Sequence, residues 1–312
     1  MAITDNLRLM IKVCKLYYEE NLSQKEISVL LDISRPQISR LLNYARENKI
    51  VNIKIYNPFT DESEAEKALI SKYNLKDALV VDVGENKGEH SLLEIGAAFA
   101  KQIETYIPDN SVVGVMSGKT LGELVSSINH IERRGLEFVP LIGGLGSEGT
   151  DWHANVIARN LAEKSGGRYC ILNAPVIVKS TEARDMLISE PEIAEVLNKG
   201  AACDIAIIGI GQINERSSPY QAGVLTKSDI DSLISAGAVA SVCTSYVNKE
   251  GQSVDNPITR RSIGQTLEKR RKCKIIAIAS GMSKVEAIKA VLTGGYIDIF
   301  ITTLESAREI IK

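Results

Sequence analysis

Two periodicities divide the 312-residue chain. Through about the first fifty residues, apolar positions recur at helical spacing. From about residue 77, short β-branched runs alternate with helical stretches. In LRLMIKVCKLYY (7–18), Leu9, Ile11, Val13, Leu16 and Tyr17 predict a helix that ends at Asn21-Leu22. Ser23 followed by Glu26 predicts a capping box, in which each residue satisfies the other's backbone N–H. Ile27, Leu30 and Leu31 supply the apolar stripe of a short second helix, and Asp32-Ile33 makes the turn. Ser34 with Gln37 predicts a second capping box. Pro36 suits the first turn of a third helix, where no N–H is needed. Ile38, Leu41, Leu42 and Ala45 form the buried face of that third helix.

Two short helices joined by a tight turn, with polar residues early in the second, predict a helix-turn-helix. In that motif the first residues of the second helix face base edges in the major groove. Here the run 34–40 offers Ser34, Arg35, Pro36, Gln37, Ser39 and Arg40. Arginine suits guanine O6/N7, and glutamine suits adenine N6/N7. Gln24 and Lys25 open the preceding helix and are placed for phosphate. Operator DNA is the expected partner of this head. Beyond it, residues 50–56 alternate apolar and polar side chains as a strand or small wing would. Asn57-Pro58 breaks the run, which predicts a DNA-binding domain at 1–57 and a second domain at 58–312. Residues 61–74 read as an amphipathic helix leading into the latter.

In the body, strands are predicted at 78–83, 111–116, 136–142, 203–209, 238–243, 274–279 and 297–302. Helices are predicted at 91–106, 120–132, 153–165, 181–189, 191–199, 228–235, 283–292 and 303–311. Such alternation implies an α/β fold with a mostly parallel, doubly covered sheet. Ligands of these sheets bind beyond the carboxyl ends of the strands. Four glycine-containing turns fall there: Ser117-Gly118-Lys119-Thr120, Gly143-Gly144-Leu145-Gly146, Gly209-Ile210-Gly211 and Ser280-Gly281. All four are expected to line one rim that receives an anion.

The first of these turns, within VGVMSGKT, resembles a nucleotide-binding P-loop but has three residues between its glycines instead of four. A Walker site also needs a later strand ending in an acid to hold magnesium. The strand 136–142 ends in Leu-Ile-Gly-Gly, and Asp82 precedes the loop. The expectation is therefore a phosphate cradle of helix N-terminal N–H groups, a hydroxyl from Ser117 or Thr120, and the Lys119 cation.

Charge sharpens the division. Residues 1–57 carry a net +3 and the remainder −5, a basic head on an acidic body. The five cysteines are scattered and odd in number, and there are three histidines. That argues against a disulfide framework and a metal site, and for a reducing, cytoplasmic location. No eighteen-residue apolar run or secretory leader is visible, so no membrane partner is expected. No cofactor is expected either.

The segments FVPLIGGLG, RYCILNAPVIV, EARDMLISEPEI, DIAIIGIG, LISAGAV, DNPITRRSIG and TGGYIDIFITT follow a head ending in SRPQISRLLNYAREN. Together they resemble, over nearly the whole chain, the SorC family of bacterial transcriptional regulators. The resemblance implies an operator-binding head and a Rossmann-like sugar-binding domain related to phosphosugar isomerases. It implies a phosphorylated sugar or sugar-like effector, and a homo-oligomer, commonly a dimer of dimers. It also implies effector contacts at Gly118 and Thr120; at Gly143, Gly144 and Gly146; at Gly209 and Gly211; at Gly281 and Lys284; and at Asp255, which heads a D-x-P-x-x-D-R run. Ser117, Lys119, Arg260 and Ser280 depart from the family pattern, and the changes are expected to add positive charge near the pocket. Asn155 and Arg159, one turn apart, could face the ligand, while Asp151 could be a helix cap.

The expected activity is therefore regulation of a carbohydrate uptake or catabolism operon, without catalysis. An effector would act by favouring one quaternary arrangement. An isomerase or deaminase with a DNA-binding head is the alternative, and it needs a general base, for which Glu148, Asp151 and His153 are the candidates. An architectural DNA binder with a vestigial pocket is a third. The charge run 269–272 reads as a solvated turn.

Overall fold

A computed structural model of the protein describes residues 3–51, 53, 59–84, 89–146, 150–267 and 273–312. The chain divides into two compact units, Met1–Pro58 and Phe59–Lys312.

The first unit contains α1 (Ile3–Tyr18), α2 (Gln24–Leu31) and α3 (Arg35–Glu47). The Ser23–Glu26 box is formed: Glu26 N–H donates to Ser23 Oγ at 3.3 Å, and Ser23 N–H donates to the Glu26 carboxylate at 2.8 Å. Asp32 then takes the left-handed conformation that ends α2 (φ 51°). Ile27 meets Val13 from α1 and Ile38, Leu41, Leu42 and Ala45 from α3 in one small core. Three expectations are corrected. Ser34 caps α3 by position but its side chain makes no cap bond. Leu30 is 60% exposed, because a two-turn helix hides one line of side chains and Ile27 occupies it. Ile11 likewise turns outward, while Met10 and Cys14 pack inside. The strand expected over 50–56 lies largely outside the described residues.

The second unit begins with α4 (Thr60–Tyr73), β1 (Asp77–Val81), α5 (Glu89–Tyr106), β2 (Val112–Val115), α6 (Lys119–Ser127), β3 (Glu137–Pro140), α7 (Ala154–Ser165) and β4 (Arg168–Tyr169). It continues with α8 (Thr181–Ser189), α9 (Pro191–Ala201), β5 (Ile205–Gly209), β6 (Gly211–Gln212), α10 (Ser218–Gln221), α11 (Lys227–Ser235), β7 (Ala240–Val242) and β8 (Ser245–Val247). It ends with α12 (Pro257–Arg260), β9 (Lys274–Ile278), α13 (Val285–Thr293), β10 (Ile299–Thr303) and α14 (Leu304–Ile311).

Seven strands form one sheet in the order β1-β10-β9-β5-β2-β3-β4, with every neighbouring pair parallel. Both faces are covered, which explains the nearly continuous apolar strand sequences. In β9, Ile275 and Ala277 join the core on one face, while Ile276 and Ile278 join the core on the other. The run 238–243 is a strand, as expected, but not of this sheet. As β7 it pairs antiparallel with β6 and β8 in a separate three-stranded sheet. With two to three residues each, β6, β7 and β8 are too short to show a period. Beside that small sheet, a separate core of Leu225, Ile230, Leu233, Tyr246 and Ile258 holds α11 and α12.

Candidate functional site

Two surfaces carry the expected recognition chemistry. On the head, Ser34, Arg35, Pro36, Gln37 and Arg40 are exposed at the start of α3, and Ser39 is half-buried. Buried Ile38, Leu41 and Leu42 anchor the opposite face, so α3 presents its polar side outward. Lys25 is exposed and Gln24 half-buried at the first turn of α2. Among the described residues, Lys25, Arg35 and Arg40 form no ion pair; the Arg40 guanidinium reaches only its own helix, at the Pro36 carbonyl (3.4 Å). Unneutralised cations beside a helix N-terminus suit a polyanion.

In the body, the strand order reverses at β2. From β2 the chain moves through β3 to β4 on one side, and from β5 through β9 to β10 on the other. Turns leaving adjacent strands in opposite directions open a crevice at the carboxyl ends. A cavity of about 320 Å³ occupies it. The turn after β2 contributes Ser117, Gly118, Lys119 and Thr120, and the turn after β5 contributes Gly209 and Gly211. Lys284 reaches it from the turn before α13, and the small antiparallel sheet adds Ser241 and Tyr246.

The polar groups facing this space are unevenly committed. The first intrahelical bond of α6 runs from Gly122 N–H to Gly118 C=O (2.9 Å), and no side chain caps that end. The N–H groups of Lys119, Thr120 and Leu121 therefore have no acceptor within the helix. Lys284 is partly buried, and desolvation holds its ammonium below the ordinary lysine range. Among the described residues no carboxylate lies in an ion pair with it. A desolvated cation without a counter-ion is costly and gains most from an incoming anion. Tyr246 is buried; that burial and the Asp229 charge push its phenol up to about 12, against a smaller opposing effect of Arg261, so it stays a neutral donor. Ser117 is buried too, but its Oγ accepts the Ala154 N–H (3.0 Å) and so supplies the missing cap of α7. His153, not Asp151, occupies the cap position of that helix.

Several expected contacts are not brought to the cavity. Gly143 N–H donates to the Ile263 carbonyl (3.1 Å), and Gly144 exchanges bonds with Ala174 C=O (2.8 Å) and Val176 N–H (2.9 Å). Gly143 and Gly144 thus spend their backbone donors on their own chain. Gly146 packs on the Ala222 carbonyl, which a Cβ there would approach to 2.9 Å. Asn155 exchanges both amide bonds with the Leu172 backbone (3.0 and 3.1 Å). Asp255 is exposed and paired with Arg260 through Nε (3.2 Å) and Nη2, so Arg260 adds no free charge to the cavity. Arg159 pairs with Glu163 along the surface of α7. Gly281 is exposed, donates to Ser306 Oγ (2.9 Å) and does not line the space.

Sequence reasoning missed Gln212, Arg216, Ser217 and Ser218, which line the cavity from the segment after β5. The Ser-Ser-Pro helix start at 217–219 was the available signal. Among the described lining residues there is no carboxylate and no imidazole to serve as a general base. Asp151 and His153 do not line the cavity; Glu148 and the run 269–272 lie outside the described residues.

The chain is similar to known proteins along its length. Residues 57–312 match the family described as "Putative sugar-binding domain". The chain is 28% identical over 309 residues to the deoxyribonucleoside regulator of Bacillus subtilis, covering 98% of this chain and 97% of that one. It is 25% identical over 315 residues to the sorbitol operon regulator of Klebsiella pneumoniae, covering each chain completely. The crystal structure of that full-length regulator, SorC, superposes with a TM-score of 0.76 over 99% of this chain and 100% of SorC, at 25% identity. A DeoR family transcriptional regulator from Listeria monocytogenes superposes with a TM-score of 0.75 at 28% identity, over 80% of this chain and 99% of that one.

Proposed function

The chain belongs to the SorC family of sugar-responsive transcriptional regulators, and from that premise we propose that it controls a carbohydrate uptake or catabolism operon in answer to a phosphorylated sugar or sugar-like metabolite. Its relatives carry names of the same kind, among them the erythritol catabolism regulatory protein EryD of Brucella abortus. The observation that carries the anionic half of the reading is the cavity at the switch point. The start of α6, whose first N–H groups have no acceptor within the helix, and Lys284, which forms no ion pair among the described residues, line one space. A phosphate is the small dianion that satisfies both at once. The apolar remainder, with Ile142, Leu145, Ile210, Leu225 and Ile278, excludes water and strengthens those interactions.

The head is the DNA-reading part in this proposal, with Arg35, Gln37 and Arg40 at base edges and Gln24, Lys25 and Ser34 at phosphates. A homo-oligomer, a dimer of dimers in this reading, sets two heads at helical-turn spacing on a palindromic operator. The effector then shifts DNA affinity only as far as it prefers one arrangement over another.

The test is a melting-temperature screen of pentose, hexose and polyol monophosphates against the full chain, followed by operator shift assays with each compound that stabilises it. The expected result is stabilisation by at least one compound and a change in operator affinity in its presence. No stabilisation by any of them would remove the effector. In the head, Arg40→Ala should abolish or relax operator recognition. Lys25→Ala should lower affinity on all sequences and reduce the salt slope by about one. Unchanged binding in both would refute the groove assignment.

A further inference from the structure

We propose that Ser217 is a specificity-determining residue of the effector site, and that its hydroxyl recognises a hydroxyl group on the carbon chain of the ligand rather than the anionic group. The inference rests on the effector reading above and goes beyond it, because it gives the ligand a second, neutral point of recognition from another segment of the cavity lining.

The argument begins with what cap serines ordinarily do. A serine or threonine before a helix turns its oxygen to a free N–H of the first turn. Ser23, Ser180, Thr226 and Thr303 all do so here, and Ser34, which does not, is exposed to water. Ser217 precedes the short helix α10 with the extended backbone of a cap (φ −66°, ψ 144°), yet its side chain makes no cap bond. Its main chain is fully employed: the N–H donates to Asn214 C=O (3.0 Å), and the carbonyl accepts from Tyr220 and Gln221 (3.1 and 3.0 Å). The side chain alone is left over.

That side chain is not left in water. Ser217 is 8% exposed and its Oγ is buried without a hydrogen-bond partner. The residue lines the cavity. Other buried serine and threonine hydroxyls lining the same space are engaged. Ser117 accepts from Ala154 (3.0 Å), Thr244 donates to Gln265 C=O (2.9 Å), and Ser262 donates to Ile258 C=O (2.7 Å). An unsatisfied buried hydroxyl is a cost that calls for an explanation; Thr302 Oγ1 in β10 is also without a partner, but only Ser217 of the two lines the cavity.

Charge decides what the partner is. The half-buried Lys284 cation, Lys119 and the open end of α6 suit the anionic end of a ligand; Arg216, next to Ser217 in the lining, is exposed and screened by solvent. Ser217 is neutral, is not at the start of α6, and can donate and accept together. A carbon-chain hydroxyl is the group that matches both capacities.

The experiment compares the full-length protein with Ser217→Ala in two measurements. Without ligand, the variant should melt at or above the wild type, since the substitution removes a polar atom that has no partner. A clear fall in melting temperature would show a structural partner and overturn the inference by itself. With ligand, calorimetry should use inorganic phosphate and the monophosphates that stabilise the wild type. Binding of those monophosphates should weaken about tenfold, the worth of roughly one neutral hydrogen bond, while inorganic phosphate should change by less than about twofold. Equal losses for both, or no loss for either, would overturn the assignment. If no monophosphate and no phosphate binds the wild type, the effector reading fails, and this inference falls with it. That outcome is distinguishable because it appears before any substitution is made.

Discussion

The turns Ser117–Thr120 and Gly143–Gly146 both contain glycine and stand after neighbouring parallel strands, β2 and β3. Their fates differ. The first leaves the N–H groups of Lys119 and Thr120 facing an open cavity. The second is covered by chain: Gly144 N–H donates to the Ala174 carbonyl and Gly143 N–H to the Ile263 carbonyl. Glycine marks a place where the backbone must come close to something. Whether that something is a ligand or the chain itself depends on what the tertiary structure lays against it.

The largest effect should come from Gly143→Ala. A Cβ at Gly143 would lie 2.6 Å from the Ala174 carbonyl oxygen and 2.6 Å from the Pro175 carbonyl carbon, both backbone atoms. Backbone cannot step aside as a flexible side chain can, so destabilisation of about 2–4 kcal/mol is expected from overpacking. Denaturant unfolding measures it. A neutral result would show that the covering segment is loosely held, and the contrast between the two turns would collapse.

Next comes Lys284→Met. Loss of this partly buried lysine, the only one among the described lining residues, should weaken phosphate-ester binding by at least about tenfold, on the scale of a charge-assisted hydrogen bond. The pH dependence has a defined sign. Burial lowers the folded-state pKa of Lys284 from 10.5, so the unfolded chain holds the proton more tightly. The apoprotein should therefore lose stability as pH falls through the lowered value, and gain it as pH rises toward 10.5. Ligand affinity should move the other way, falling as pH rises through the same value, because the cation is lost. In Lys284→Met both dependences should flatten. A wild-type affinity independent of pH across the alkaline range would remove Lys284 from the site.

A smaller effect is expected at Gly209, where an added Cβ meets only the Ile278 carbonyl, at 4.0 Å. Gly209→Ala should leave unfolding free energy within about 1 kcal/mol of wild type, the propensity scale of the substitution, yet reduce ligand affinity severalfold by placing a methyl in the cavity. Destabilisation as large as that of Gly143→Ala would mean that the two turns are packed alike. The smallest effect belongs to Lys119→Ala. That side chain is exposed, and a solvent-screened charge contributes about 0–1 kcal/mol. A two- to threefold loss of affinity, vanishing at high salt, is the expected calorimetric result.

Much of the fold was legible in the residues. Ser23 and Glu26 announce the start of α2 because capping acts over three residues. Ile38, Leu41, Leu42 and Ala45 show the buried face of α3 because helical spacing repeats locally. The parallel sheet shows in its apolar β-branched runs, since a strand covered on both faces has no polar side. The small antiparallel sheet was not legible, because strands of two or three residues carry no period. In the cavity, Gly118, Thr120, Gly209, Gly211 and Lys284 were nameable from position at strand ends and from family resemblance. Asn155 and Asp255 were named for chemistry that the fold spends elsewhere, on Leu172 and Arg260. Ser217 carries no local signal that separates it from any other serine before a Ser-Pro pair.

By itself the sequence determined what depends on neighbours in the chain: the capped helices, the strand and helix alternation, the basic head and the acidic body. The tertiary structure alone decided which polar groups remain unused. A hydrogen bond takes one donor from any use, and its partner can lie a hundred residues away, as Gly143 and Ile263 do. The reversal of strand order at β2 brings residues 117–120, 209–211 and 284 around one space. What is left unpaired there, the end of α6, the Lys284 ammonium and the Ser217 hydroxyl, is a property of that assembly and of no single stretch of chain.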